Sequence, residues 1–128
     1  MKNGSLNPKN RIRQVLGRCG EERAAAFLRE KGFSCLAMNW RCRGGELDLI
    51  VAREAEIRFV EVKTRKTERY GAPEEAVTPR KLAHLRVAAE QWISEHTFLG
   101  SKSFQFDVIT ILWPGTAQER LVWIENVS

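Results

Sequence analysis

The sequence predicts an α/β fold: a mixed central β-sheet flanked by helices, with the element order α-β-β-β-α-β-β. Two segments have the apolar spacing of amphipathic helices, and short runs rich in Val, Ile and Leu between and after them have the pattern of strands. The 128 residues, 43% hydrophobic and 29% charged, suffice for one core and not for two. A single sheet with helices packed on it is therefore the expected layering.

The first half of the chain is predicted to contain one helix and three strands. Its polar start predicts a flexible arm over residues 1–10, ahead of a single domain over residues 11–128. A helix is predicted from about residue 14 to residue 31, where Gly32 occupies the position of a C′ glycine. Strands are predicted over residues 33–42, 46–52 and 57–63, with a short polar turn between the last two.

The second half is predicted to contain one helix and two strands. A charged loop rich in turn-forming residues covers residues 64–77. Thr78 is suited to cap a helix and Pro79 to its first turn, which predicts a helix from there to about residue 95. Strands are predicted over residues 106–112 and 121–124, with a turn at Pro114 and Gly115 between them.

Composition and cysteine usage exclude several classes of protein. No segment approaches the ~18 apolar residues of a membrane span, and the polar N-terminus lacks the apolar stretch of a secretory signal. Cys19, Cys35 and Cys42 have neither zinc-site nor disulfide-framework spacing, so we expect free thiols in a cytoplasmic protein. The 21 Lys and Arg exceed the 16 Asp and Glu, and the net charge of +5 permits a polyanionic partner without requiring one.

The strongest functional signal is a group of charged residues in the hairpin of the second and third strands. If the hairpin turns at residues 54–55, Asp48 opposes Glu61 and Glu46 opposes Lys63. Directly opposed side chains project from the same face, with Cβ atoms ~5 Å apart. Three carboxylates and one ammonium group are therefore expected to converge at one end of the hairpin.

The residues alone leave two interpretations of this group. The simpler one is a solvated strand face with a salt bridge between Glu46 and Lys63. Apolar residues nevertheless occupy both faces of the hairpin, which is typical of strands covered on both sides. One face has Leu47, Leu49, Val51, Val60 and Val62, and the other has Ile50, Ile57 and Phe59. Like charges at the edge of a buried sheet repel unless a proton or a cation compensates them, which favours a functional site.

A divalent metal ion would supply that compensation. Carboxylate oxygens without a neighbouring thiol or imidazole favour Mg²⁺ or Mn²⁺ over Zn²⁺. Such ions complete their coordination with water and phosphate oxygens, which is the arrangement needed for phosphodiester hydrolysis. Lys63, two residues after Glu61, would lie on the same strand face and could orient the attacking water.

Asp48, followed on the next strand by Glu61-Val62-Lys63, resembles the PD-(D/E)xK nuclease signature. Further motifs surround it in order: Gly17-x-x-Gly20-Glu21-x-x-Ala24, Asn39-x-Arg41, Gly45-Glu46-Leu47-Asp48-Leu49-Ile50, Phe59-Val60-Glu61-Val62-Lys63-Thr64-Arg65, Gly71-x-Pro73-x-Glu75-Ala76-Val77 and Phe106-Asp107-Val108. This succession looks like the YraN-type uncharacterised protein family, which is similar to restriction endonucleases and Holliday-junction resolvases. The resemblance implies a restriction-endonuclease-like fold and, by analogy with the resolvases, a homodimer.

Glu21 enters the candidate site through this resemblance, which implies that a glutamate of the first helix joins the strand carboxylates at the metal. From spacing alone, a surface glutamate is equally consistent. Gly17, Gly20, Glu21, Ala24 and Leu28 share one helical face. Because glycine destabilises a helix interior, the two glycines predict a close approach of this helix to the sheet.

Basic residues flank the acidic hairpin in sequence, and the predicted nucleic-acid contacts are Arg41, Arg43, Arg65, Lys66, Arg69 and Lys81. Phosphate contacts fix position but carry no sequence information. We identify no element that would read base edges, so recognition of DNA structure is expected. Core packing is expected for Trp92, Trp113 and Trp123, which leaves Trp40 as the candidate for stacking on bases.

The sequence therefore predicts a metal-dependent nuclease that acts on structured or branched DNA. Asp48 and Glu61 would bind Mg²⁺ or Mn²⁺, with Glu21 and Glu46 assisting directly or through water, and Lys63 would orient the nucleophile. A nucleic-acid-binding module without catalytic activity is one alternative, and a scaffold for a DNA-processing partner is another.

Overall fold

The predicted order of elements is confirmed by the computed structural model, which describes residues 8–65, 77–97, 100 and 102–127. The elements are α1 (Pro8–Glu30), β1 (Ser34–Cys42), β2 (Gly45–Arg53), β3 (Glu56–Arg65), α2 (Pro79–Ser94), β4 (Ser103–Leu112) and β5 (Arg120–Ile124). Each strand lies where the sequence predicts it, with ends that differ by up to three residues.

The five strands form one mixed sheet in the order β1-β2-β3-β4-β5. Neighbouring strands are antiparallel except for the central pair, β3 and β4, which run parallel. A parallel pair cannot be joined by a tight turn, and the connection between β3 and β4 contains α2. The carboxyl ends of β3 and β4 consequently lie at the same end of the sheet.

The two helices pack on opposite faces of the sheet. On the α1 side, the core contains Ala24, Ala25, Leu28, Phe33, Leu49, Val51, Val60, Val62, Ile109 and Ile111. On the α2 side, it contains Leu47, Ile50, Ile57, Phe59, Leu85, Ala88, Ala89 and Trp92. The β2–β3 hairpin is therefore covered on both faces, as its two apolar faces predict.

Leu47 is an exception to the predicted assignment of faces. Alternation places it with Leu49 and Val51, whereas in the structure it packs with Ile50 and Ile57 on the α2 side. The β2–β3 pairing runs from Leu49 to the hairpin turn. Leu47 pairs only with β1, on the far side of Asn39, whose φ of 52° interrupts the regular strand conformation opposite Asp48.

The start of α1 also differs from the prediction. The helix begins at Pro8, about two turns before the predicted start near residue 14 and within the predicted polar arm, while residues 1–7 lie outside the described residues. Proline is favoured in the first turn of a helix, and the polar residues after it carry no apolar stripe that sequence analysis could detect. The predicted end is confirmed: Gly32 has a φ of 94°, and Phe33 N donates to Leu28 O at 3.0 Å.

A buried ion pair joins β3, β4 and the end of the chain. Arg58 Nη1 lies 3.0 Å from Asp107 Oδ2, and both side chains are almost fully buried. The same carboxylate accepts hydrogen bonds from Trp123 Nε1 at 3.0 Å and from Asn126 N at 2.9 Å. Asp107, which belongs to one of the sequence motifs, thus secures β5 and the residues after it to the sheet.

The predicted close approach of α1 to the sheet occurs at one of the two glycines. A Cβ atom on Gly20 would lie 2.0 Å from Thr64 Oγ1, so the helix backbone approaches β3 closely here. A Cβ atom on Gly17 would meet nothing within 4 Å, and the prediction is wrong for this residue. Of these two glycines, Gly20 is the one at which α1 approaches β3 too closely for a side chain.

The two glycines therefore form a matched pair for mutation. Gly20→Ala is expected to lower the free energy of unfolding by roughly 1–3 kcal/mol, because the new methyl group overlaps Thr64. Gly17→Ala is expected to raise it by up to about 1 kcal/mol, because alanine is the better helix former. Urea unfolding followed by circular dichroism measures both changes. Equal effects of the two substitutions would contradict the asymmetric contact, and Thr64→Ala should relieve the defect of Gly20→Ala.

Candidate metal and nucleic-acid site

The candidate site lies where β2 and β3 stop pairing. The predicted register is confirmed from the turn to the Leu49–Val60 pair. At the next position, Asp48 Oδ2 accepts a hydrogen bond from Val62 N at 2.9 Å. A side-chain carboxylate therefore replaces the main-chain acceptor at the end of the ladder, and this bond holds Asp48 beside Glu61.

Two ammonium groups converge on the Glu61 carboxylate, whose side chain is only 6% exposed. Glu61 Oε2 lies 2.8 Å from Lys81 Nζ and 3.7 Å from Lys63 Nζ. Lys63 follows on the same strand, whereas Lys81 comes from the first turn of α2. The predicted cap fixes that turn, because Thr78 Oγ1 accepts a hydrogen bond from Lys81 N at 3.1 Å.

The surroundings of Asp48 raise its pKa to about 8. Burial of the carboxyl group is the main cause, and the neighbouring charge of Glu61 is the second. The hydrogen bond from Val62 acts in the opposite direction but is outweighed. At neutral pH and without a metal, a proton on Asp48 therefore relieves much of the repulsion between the carboxylates.

Glu21 reaches this site from α1. Its pKa is raised, mainly by burial and further by the charges of Glu46 and Glu61, and lowered in part by a hydrogen bond from Asn39. Glu21 in turn contributes to the raised pKa of Asp48. The structure thus places half-buried Glu21 within electrostatic range of both strand carboxylates, and spacing alone could not distinguish this from a surface position.

Asn39 is a site residue that the sequence analysis does not identify. Its Nδ2 donates to Glu21 Oε1 at 2.8 Å, and its backbone has a φ of 52° within β1. Asparagine tolerates this left-handed conformation better than most residues. The available sequence signal is its place in the Asn39-x-Arg41 motif, although nothing in that motif indicates a contact with Glu21.

The expected opposition of Glu46 and Lys63 is wrong. Glu46 pairs with Arg41 of β1, with Arg41 Nε 3.2 Å from Glu46 Oε2 and both side chains well exposed. The reason is that the β2–β3 ladder ends at Leu49, which leaves the start of β2 paired with β1. Glu46 remains close enough to raise the pKa of Glu21.

The site offers few side chains that could bind a metal ion. Within residues 8–65, 77–97, 100 and 102–127, no group of three or more His, Cys, Asp or Glu side chains is arranged to hold a metal ion. Asp48 and Glu61 are the two adjacent carboxylates, and they are mutually repulsive. A pair of this kind suits Mg²⁺, which commonly takes one or two carboxylates and completes its coordination with water and phosphate oxygens.

The predicted cationic residues have different surroundings. Arg41 and Arg43 are exposed near the β1–β2 turn, and Arg65 ends β3. Lys66 and Arg69 lie outside the described residues. Lys81 pairs with buried Glu61, so its ammonium group belongs to the carboxylate cluster.

The expectation of core packing is confirmed for Trp92, which is buried, and for Trp123, which is partly buried against the α1-side cluster. It is wrong for Trp113, which is 43% exposed. Trp40, the candidate for stacking on bases, is partly buried against the α2-side cluster. Trp113 follows the last residue of β4 and begins a turn, where strand periodicity no longer applies. Among the described helices, none is both long enough and apolar enough to cross a membrane.

The fold and this cluster define an α/β protein with carboxylates and lysines grouped at the open end of a central hairpin. The chain belongs to the Uncharacterised protein family UPF0102, whose model matches residues 20–111, and this confirms the family predicted from the motifs. The UPF0102 protein of Frankia casuarinae is 44% identical over 116 residues, covering 91% of this chain and 98% of the relative. That of Syntrophomonas wolfei is 48% identical over 101 residues, covering 79% and 87% respectively.

The raised pKa of Asp48 predicts an unusual dependence of stability on pH. Between its ordinary pKa of 3.8 and the folded value of about 8, the folded state holds a proton that the unfolded state releases. Rising pH therefore favours unfolding, by at most about 1.4 kcal/mol per pH unit. Asp48→Asn, which does not titrate, should gain stability relative to the wild type as pH rises.

Urea unfolding from about pH 5 to about pH 8 in EDTA measures this effect. The difference in unfolding free energy between Asp48→Asn and the wild type measures the titration of Asp48 together with its coupling to Glu61 and Glu21, because groups away from the site are shared. Parallel pH profiles for the two proteins would contradict the raised pKa.

Proposed function

We propose that this protein is a metal-dependent nuclease that hydrolyses phosphodiester bonds in structured or branched DNA. The observation that carries the proposal is the meeting of Asp48, Glu61, Lys63 and Lys81 at the end of the β2–β3 ladder. Two repelling carboxylates beside two ammonium groups form a poor salt-bridge network but a suitable site for a divalent cation and a phosphate.

Asp48 and Glu61 would hold Mg²⁺ or Mn²⁺, with the Val62 carbonyl as a further candidate ligand. When bound, such an ion polarises a phosphoryl oxygen and lowers the pKa of water. The hydrogen bond from Val62 N fixes one oxygen of Asp48, and the contact with Lys81 fixes one oxygen of Glu61. Both carboxylates are thus held in position before any ligand binds, which lowers the entropic cost of assembling the site.

The two lysines supply positive charge where phosphate would bind. Lys63 lies on the edge of the carboxylate cluster, with its side chain 34% exposed, and can orient a water or contact a phosphoryl oxygen. Lys81 is 39% exposed and reaches the same Glu61 oxygen from α2. Their charges offset the negative charge that develops on the phosphoryl group in the transition state.

Glu21 and Glu46 would assist the metal site, and Glu21 is the better placed of the two. Asn39 holds the Glu21 carboxylate in one orientation, from which it can accept a hydrogen bond from water at the site. Glu46 is well exposed and paired with Arg41, so we expect it to act mainly through its charge.

Contacts to the DNA backbone are proposed for Arg41, Arg43 and Arg65, and for Lys66 and Arg69, which lie outside the described residues. These residues flank the cluster along the chain and add positive charge on both sides of it. Because phosphate contacts do not discriminate between sequences, the proposed selectivity is for DNA structure.

Cleavage assays on a labelled four-way junction, a linear duplex and a supercoiled plasmid test the proposal. With Mn²⁺ or Mg²⁺, the wild type is expected to cut and EDTA to stop it. Asp48→Asn, Glu61→Gln and Lys63→Met are each expected to lower the rate on the order of 100-fold or more, because each removes a group at the reacting phosphate.

Lys102→Met is the matched control for Lys63→Met, because Lys102 precedes β4 at the opposite end of the sheet and should leave cleavage unchanged. Equal residual cleavage by wild type and Asp48→Asn would identify a contaminant. Nucleic-acid binding that weakens with salt but is unchanged by EDTA and by Asp48→Asn, with no cleavage, would favour the non-catalytic binding module. Absence of nucleic-acid binding at low salt would favour the scaffold.

Metal binding can be measured without a substrate. The affinity for Mn²⁺ is expected to rise from about pH 6 to about pH 8, by at most about tenfold per pH unit, because the ion must displace the proton on Asp48. Titration calorimetry in buffers of different ionisation enthalpy detects the released proton. Proton release on metal binding should be absent for Asp48→Asn. It should be unchanged for the control Glu54→Gln, which alters an exposed carboxylate in the hairpin turn. An affinity independent of pH would contradict the site.

A further inference from the structure

Trp113 is an exposed aromatic residue at the end of the sheet that carries the carboxylate cluster. It directly follows β4, and its main-chain N donates to Arg65 O, at the end of β3, at 3.2 Å. Since Thr110 pairs with Lys63, Trp113 lies three residues beyond the level of Lys63, or roughly 10 Å along the strand.

The backbone of Trp113 adopts a conformation that bulky residues avoid. Its φ is 51°, in the left-handed region, where a side chain with a large ring is disfavoured. Such a conformation persists only where the surroundings impose it, and these positions cluster at functional sites. Here, the Trp113 carbonyl accepts from Thr116 N at 3.3 Å and from Thr116 Oγ1 at 2.8 Å.

The turn that follows is fastened to the segment of α1 that carries Glu21. Glu119 Oε1 accepts from Gly115 N at 2.7 Å, and the same carboxylate forms two hydrogen bonds with Arg23, each 2.8 Å long. Arg23 is two residues from Glu21 in α1. The turn after Trp113 is therefore held against α1, the helix that also carries Glu21.

Positive charge lies on both sides of this position. Leu112, the residue before Trp113, pairs with Arg65 on one side and with Arg120 on the other. Adjacent strands are about 4.8 Å apart, so the three residues form a row across the sheet. The end of the strand that leads into the exposed indole is thus flanked by two arginines, which add positive charge to the surface that a nucleic-acid backbone would meet.

We propose that Trp113 is a stacking platform for an unpaired base of a nucleic acid bound at this end of the sheet. The inference rests on the proposed function and adds a subsite to it. A separation of roughly 10 Å from Lys63 corresponds to about three stacked nucleotides. The platform would thus hold a base close to the cleaved phosphate, as at a branch point or a single-stranded end, and would favour substrates with unpaired bases over an uninterrupted duplex.

Two exposed aromatic residues at opposite ends of β4 provide a matched test. Phe104 is 41% exposed and Trp113 is 43% exposed, and only Trp113 lies at the end with the cluster. Binding of a fluorescent four-way junction and of an oligothymidine is measured by anisotropy in EDTA for Trp113→Leu, Trp113→Phe and Phe104→Leu. Trp113→Leu is expected to weaken binding roughly 5- to 150-fold, Trp113→Phe much less, and Phe104→Leu not at all.

Quenching of intrinsic fluorescence gives an independent readout. Oligothymidine is expected to quench the wild type, and Trp113→Phe should lose most of that quenching while it still binds. Unchanged binding by Trp113→Leu, or unchanged quenching in Trp113→Phe, would overturn the platform while leaving the proposed function standing. Failure of the wild type to bind any nucleic acid would contradict both the stacking platform and the proposed function. Conversion of a wild-type dimer to a monomer by Trp113→Leu, with unchanged affinity for DNA, would identify a self-association surface instead.

Discussion

The hydrogen bond from Val62 N to the Asp48 carboxylate is the constraint on which the rest of the site depends. It forms where the β2–β3 ladder ends, so it occupies a main-chain donor that a neighbouring strand would otherwise use. It also holds a carboxyl group beside Glu61, in a partly buried position where water screens the repulsion less than at the surface. The end of an ordinary ladder is thus electrostatically unfavourable, and the contacts of Lys63 and Lys81 with Glu61 offset part of that cost.

The sequence predicts the framework well because the framework depends on local signals. The turn at residues 54–55 fixes the register of β2 against β3, and Thr78 with Pro79 fixes the start of α2. Periodicity, in contrast, does not indicate where a ladder stops. For that reason, the sequence predicts the wrong neighbour for Glu46, although it predicts the pattern of both strands correctly.

The sequence also does not predict the side-chain contacts between elements that are distant along the chain. Lys81 reaches Glu61 only because α2 returns across the sheet, and Asn39 reaches Glu21 only because β1 passes beside α1. Neither pair has a characteristic spacing. Trp113 shows a related limit, because a tryptophan next to an apolar strand is normally buried, whereas the turn after Leu112 leaves it exposed.

Two groups can compensate the crowded carboxylates without a metal: the Asp48 carboxyl group, whose pKa of about 8 lets it hold a proton at neutral pH, and the ammonium group of Lys81, which contacts Glu61. A divalent ion bound to both carboxylates would replace both the proton and the ammonium group as the source of compensating positive charge. The ion would displace the proton from Asp48 and would neutralise Glu61 in place of Lys81, while both lysines would remain within a few ångströms of the site. The ammonium group of Lys81 could then pair with a phosphate. On the proposed function, binding of metal and binding of the DNA backbone are therefore coupled through Lys81, and each should strengthen the other.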